Sequence, residues 1–78
     1  MRKQTFLENF GQLVARRRRA EGMTQEALAA KAGVHRTYVG DIENGRKSPT
    51  LTTAWSLAAA LGETLSDLIR TAESGTPS

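Results

Sequence analysis

Residues 24–45 read TQEALAAKAGVHRTYVGDIENG, and the spacing of their small, apolar and glycine positions decides the architecture. Thr24 offers a hydroxyl where a helix N-cap needs an acceptor, and Glu26 places negative charge in the first turn. A helix is therefore predicted over residues 25–32. Gly33 follows, free to take a left-handed turn conformation. A further helix is predicted over residues 36–43, and the run Glu43, Asn44, Gly45 stops it. Leu28, Val34, Val39 and Ile42 supply apolar contacts from both helices to one core. Ala29 is small at the point where the two backbones must cross closely.

Two short helices joined across one glycine form a helix-turn-helix arrangement. The face of the later helix not used by the core is polar: His35, Arg36, Thr37, Gly40 and Asp41. Short and forked hydrogen-bonding groups on such a face suit a DNA major groove.

The rest of the chain builds around this pair. Phe6, Phe10, Leu13, Val14 and Arg17 stand at helical spacing, predicting a helix over residues 5–21 that Gly22 ends. The polar loop NGRKSP leads to Thr50, a cap for a helix over residues 51–61, which Gly62 closes. Thr64 with Asp67 three residues on resembles a capping box, opening a last helix that reaches about residue 73. Strand-like alternation is absent. The expected fold is all-α, a compact five-helix domain over residues 1–73 with a disordered tail at 74–78.

Composition sets bounds on function. With 78 residues there is room for one small core, so stability is expected to be modest and pairing with a second copy would help. There is no cysteine and only one histidine, which excludes disulfides and any zinc set. No apolar run approaches a membrane span, and the first ten residues lack the apolar stretch of a signal peptide. A cytoplasmic protein with no membrane association, no cofactor and no small-molecule ligand is expected. Glu21, Glu26, Asp41, Glu43, Glu63 and Asp67 are spread like surface or capping carboxylates. Neither a Ser–His–Asp set nor a phosphate-cradling glycine loop is present, so no catalytic residue is assigned and an enzyme is not expected.

The net charge of +3 favours polyanionic partners only weakly. Its distribution is uneven. Residues 1–19 carry six basic side chains against Glu8, whereas residues 20–45 are net −2. Most of that N-terminal charge is the run RRRR at 16–19. At about 100° per residue these four side chains fan around ~300° of a helix, so they cannot form one patch. Arg18, four residues after Val14 and eight after Phe10, falls on or beside the apolar stripe.

In the motifs EGMTQEALAAKAGV and YVGDIENGRKSPTLTTAWSLAAALG the chain resembles the phage-repressor, or XRE-type, helix-turn-helix family. The resemblance runs from about residue 13 to residue 69. It implies a homodimer bound to double-stranded DNA at a pseudo-palindromic operator, hence a transcription regulator, repressor or activator. By position, it places Thr24 and Gln25 on phosphate. It places His35, Arg36, Thr37, Gly40 and Asp41 at base edges or the adjacent backbone. Arg36 is the foremost reader, since its planar fork matches both acceptors on a guanine edge. Tyr38 stands at the margin of this face, its ring toward the domain and its hydroxyl toward phosphate. Asn44, Arg46, Lys47 and Ser48 fall in the loop that grips backbone in the family. An Arg18–Glu43 ion pair joining the first and third helices is implied as well.

Two positions depart from the pattern. Gly40 lies inside the recognition helix at a cost of ~1 kcal/mol relative to alanine, either to admit DNA closely or because it is tolerated. Asp41 is acidic on a face that meets phosphates. It either accepts from a cytosine amino group or neutralises Arg36 or a neighbour. His35 has a plainer reading beside base contact, as an N-cap or a phosphate contact. The family's core residue in the fourth helix falls at Ala54, and the adjacent Trp55 either fills that space or marks the dimer contact, for which Leu65 and Ile69 are the other candidates. Core continuity is expected from Leu51, Leu57, Ala58 and Leu61.

RTYVGDIE resembles the recognition helix of restriction–modification controller proteins, small autoregulating dimers, and the chain is expected to be the DNA-binding domain alone, with no sensing or cleavage domain attached. Two other readings compete with an operator-binding regulator. One is an antitoxin-type interaction protein that masks a partner. The other is a nonspecific nucleic-acid binder acting through the arginines.

Overall fold

A computed structural model describes residues 1–75, and among these the chain forms five helices and no strand. They are α1 (Lys3–Ala20), α2 (Gln25–Ala32), α3 (Arg36–Glu43), α4 (Leu51–Ala60) and α5 (Leu65–Ser74). Three threonines start helices in the same way. Thr24, Thr50 and Thr64 accept hydrogen bonds from the backbone amides of Ala27, Thr53 and Asp67 at 3.0–3.1 Å. Each such cap is worth about 1 kcal/mol. The α2–α3 turn follows the sequence closely. Gly33 takes a φ of 74°, and the amide of Val34 donates back to Ala29.

The ends of the helices depart from expectation in four places, one of them the end of α1, which stops at Ala20 with Glu21 as its C-cap. α1 begins at Lys3, two residues early, with no side-chain cap on Arg2. Its first turn is held from a distance: the Gln4 side chain donates to the carbonyl of Gly45 at 3.0 Å, across 41 residues. α4 ends at Ala60, with Leu61 as its C-cap. α5 runs through Ser74 and closes on Gly75, so these two residues belong to the helix and its cap rather than to a tail. The rest of the expected tail, 76–78, lies outside the described residues.

α1 packs on α3 and α5, α2 on α3 and α4, and α4 on α5. Their common core is Phe10, Leu13, Val14, Leu28, Val39, Ile42, Leu57 and Leu68, each almost fully buried, with small residues where helices meet: Ala29, Ala54, Ala58 and Ala72. On α4 the inward stripe is Ala54, Leu57, Ala58 and Leu61, at the spacing of one helix face. Leu51, expected to extend that core, is instead 78% exposed. As the first residue of α4 it stands at the rim of the domain, where neither α1 nor α5 covers it.

Gly11 fixes how closely α1 can lie on α3. A Cβ built there would overlap the carbonyl oxygen of Ile42 and lie 2.9 Å from that of Glu43. Only a residue without a side chain lets the two backbones pass at this distance. Among the described residues no helix is long and apolar enough to cross a membrane.

Candidate nucleic-acid interface

α3 is amphipathic. Val39, Ile42 and Glu43 are buried, while His35, Arg36 and Thr37 are exposed and Gly40 and Asp41 are half-buried. The three exposed residues sit at the helix N-terminus, together on the outer surface. His35 occupies the N-cap position by its backbone, but its side chain makes no capping hydrogen bond. Tyr38 is half-buried and packs against the core, leaving the margin of the α3 face to its ring.

The back of α3 is fastened by a polar network. The Arg18 guanidinium donates from Nε to Oε2 of Glu43 at 2.7 Å and from Nη2 to Oε1 at 3.1 Å, and its third nitrogen, Nη1, donates to the carbonyl of Met23 at 2.9 Å. Both residues are buried, Arg18 at 8% and Glu43 at 9% exposure. The Gln25 amide donates to the same Oε1 of Glu43 at 2.9 Å. One carboxylate thus ties together the end of α1, the start of α2 and the end of α3. The bonds from Arg18 to Glu43 raise the guanidinium's pKa above its ordinary value, with burial opposing and the charge of Glu43 assisting. Thr24 and Gln25, assigned to phosphate from the resemblance, stand at the N-terminus of α2. There Thr24 caps the helix and Gln25 is oriented by Glu43.

The two departures from the family pattern have plain geometry. A Cβ on Gly40 would meet only the Gln25 side-chain amide, at 3.7 and 3.8 Å, an ordinary contact. Sterically, alanine fits. Asp41 lies 4.0 Å from both Arg46 and Lys47, so its neighbours are the loop cations rather than Arg36. Its own carbonyl accepts from the Arg46 amide at 2.8 Å, and the Asn44 side chain donates to the carbonyl of Gly40. The loop Asn44, Arg46, Lys47, Ser48 is thereby folded back on the end of α3 while all four of those side chains stay exposed.

The four arginines part company. Arg18 points inward. Arg17, at helical spacing with the apolar residues of α1, pairs through Nη1 with Glu63 in the α4–α5 connection at 3.1 Å. Arg16 and Arg19 are exposed. Neither the Gly11 crossing, the Gln4–Gly45 bond nor the Arg17–Glu63 pair was read from the sequence. Their partners lie 31 to 46 residues away, and no local pattern marks them.

Away from α3, Trp55 is 64% exposed and does not fill the space beside Ala54, which is itself buried. Leu65 and Ile69 are half-buried against the core. With Phe6, Phe10, Pro49 and Leu51 they line an open apolar groove of about 260 Å³ between α1, α4 and α5.

Comparison with known proteins agrees with this geometry. The chain is 41% identical over 59 residues to the HTH-type transcriptional regulator y4dJ of Sinorhizobium fredii, covering 76% of this chain and 77% of that protein. It is 39% identical over 61 residues to the control protein C.BamHI of Bacillus amyloliquefaciens, covering 77% and 75%. Two other relatives are longer, and the chain spans 41% and 34% of them. Among solved structures, the restriction-modification controller protein C.AhdI of Aeromonas hydrophila superposes with a TM-score of 0.77 at 39% identity, over 80% of this chain and 94% of that one. The helix-turn-helix family model HTH_3 matches residues 14–68, from the middle of α1 into α5, and the chain belongs to that family.

Proposed function

We propose that this chain is a sequence-specific transcription regulator that binds a pseudo-palindromic DNA operator as a homodimer, in the manner of a restriction–modification controller. The observation that carries the reading is the exposed face of α3, presenting His35, Arg36 and Thr37, held on a helix whose other side is locked by Val39, Ile42 and the Glu43 network. A reader helix must be stiff, since misplacement of a bidentate donor forfeits its discrimination of about 1–3 kcal/mol. Arg36 and Thr37 read base edges. Gly40 and Asp41 lie one turn further along the same helix, with Asp41 also steering Arg46 and Lys47. Thr24, Gln25, Tyr38, Asn44, Arg46, Lys47 and Ser48 hold the phosphates that fix register.

Pairing is assigned to the α4–α5 side, where Leu65 and Ile69 line the apolar groove and Trp55 stands exposed on α4. Two copies joined there would present two α3 helices to successive major grooves, about 34 Å apart. The role is regulatory rather than catalytic. The controller assignment is supported by the likeness to the control protein C.BamHI and to the restriction-modification controller protein C.AhdI.

Selection of bound duplexes from a random library, in competition with nonspecific DNA at physiological salt, tests the proposal. A palindromic motif is the expected result. Absence of enrichment overturns it.

A further inference from the structure

One feature of the surface lies outside the helix-turn-helix pair. Gln12, Ala15, Arg16 and Arg19 recur at the spacing of a single α1 face, and that face forms one wall of an open cleft of about 510 Å³. Glu43 and Asn44 at the end of α3 form the other wall, with Glu8 at one edge. Gln12, Arg16, Arg19 and Asn44 are all exposed, so two guanidiniums and the Gln12 amide stand at the surface of the cleft, while the Asn44 amide donates to the carbonyl of Gly40. Its acidic floor is compensated, because the Glu43 carboxylate is already engaged by Arg18 and Gln25. What remains is a cationic, donor-rich trough that opens beside Asn44.

We infer that this cleft seats DNA backbone beyond the bases faced by α3, with Arg16 and Arg19 each engaging a phosphate. The inference rests on the operator-binding reading and extends it to α1. Asn44 belongs both to the backbone-gripping loop and to the cleft wall, so a strand that passes Asn44 continues along the Arg16–Arg19 stripe. The arginine forks suit phosphate oxygens, and such contacts carry no sequence information. The run at 16–19 therefore divides three ways: Arg18 builds the reader, Arg17 ties α1 to the α4–α5 connection, and Arg16 and Arg19 add grip.

The test compares the wild-type chain with Arg16→Gln, Arg19→Gln and the double variant. Each is titrated with the duplex that the wild type selects and with a random duplex of equal length, over a range of salt. Each phosphate contact contributes about 0.9 to the slope of log affinity against log salt. Because both protomers of the dimer carry the change, each single variant is expected to flatten that slope by about 1.8, and the double variant by about 3.6. The ratio of affinities for the two duplexes should stay unchanged. An equal-charge control, Arg2→Gln with Arg70→Gln, removes exposed cations from the α5 side, where Arg2 lies close to Glu73. It should flatten the slope by less than half as much. An unchanged slope in the single and double variants, with discrimination intact, overturns the inference alone. An equal flattening in the control overturns it too, by assigning the effect to the general field. A wild-type chain that does not distinguish the two duplexes overturns the operator reading and the inference with it. Far-UV circular dichroism on each single variant establishes that the fold compared is the same.

Discussion

Arg18 and Glu43 stand 25 residues apart in sequence and meet through two hydrogen bonds, of 2.7 and 3.1 Å, in the interior between α1 and α3. Geometry of this kind, a planar fork on a carboxylate, is the strong form of an ion pair. Here it also orients the reader helix. Arg18→Ala would leave the Glu43 carboxylate buried with only Gln25 as a partner. Losing one member of a buried pair costs ~3–5 kcal/mol, a large share of the stability of so small a domain. Thermal melting should fall by about 12 °C or more, and Arg16→Ala or Arg19→Ala should change it little. Equal shifts for all three would refute the strut role.

Gly11 should be the least replaceable glycine in a helix. In an exposed helix, alanine is worth about 1 kcal/mol more than glycine. At position 11 the sign reverses, because the methyl would enter the space of the Ile42 and Glu43 carbonyl oxygens. Gly11→Ala is expected to destabilise by about 1–3 kcal/mol, read as a lower midpoint in urea. A gain in stability would show that α1 is able to shift outward freely.

Gly40 behaves oppositely. Its methyl would meet the Gln25 amide at ordinary contact distance, so Gly40→Ala should raise stability by up to ~1 kcal/mol. A lower melting temperature would contradict the space seen around it. The same variant also separates two roles for this glycine, since operator affinity falls only if DNA needs the room.

Within the proposed interface, direct and indirect contributors are separable. Arg36→Ala should cost about 1–3 kcal/mol on the selected operator and relax base preference at one position. Lys47→Ala should weaken operator and random DNA alike, and make the salt slope shallower by about 2, one phosphate contact being lost in each protomer. Parallel losses on both duplexes for both variants would remove Arg36 as the reader.

Trp55 is the anchor assigned to the α4–α5 pairing surface, where aromatic residues concentrate binding energy. Trp55→Lys should leave the helical content of the protomer unchanged. The dimer dissociation constant should rise about tenfold or more, the equivalent of ~1.4 kcal/mol, as measured by analytical ultracentrifugation. An unaltered constant would move the interface elsewhere.

The candidate site divides along the same line as the fold. The polar face of α3, the basic loop after it and the capping threonines are local features. They depend on spacing within one helix or on a residue three positions from its partner, and they were legible in the chain. Arg18 and Glu43 became readable together only through the family resemblance, because nothing in their own neighbourhoods joins them. Leu51 misled because helical spacing identifies a face but not where the neighbouring helices stop. The Arg17 pair was illegible for a related reason: Glu63, its partner, arrives from the far end of α4.

The sequence by itself determined the helices, their caps and the turn at Gly33, since these are set by backbone preferences and hydrogen bonds within a few residues. It also determined that α3 has one apolar and one polar side. The tertiary structure decided what could not be local: the close crossing at Gly11, the Gln4–Gly45 anchor that lengthens α1, and the division of four adjacent arginines among three surroundings. A helix turns each successive side chain by about 100°, so neighbours in the chain become strangers in space. Their surroundings are fixed only when the other helices have packed around them.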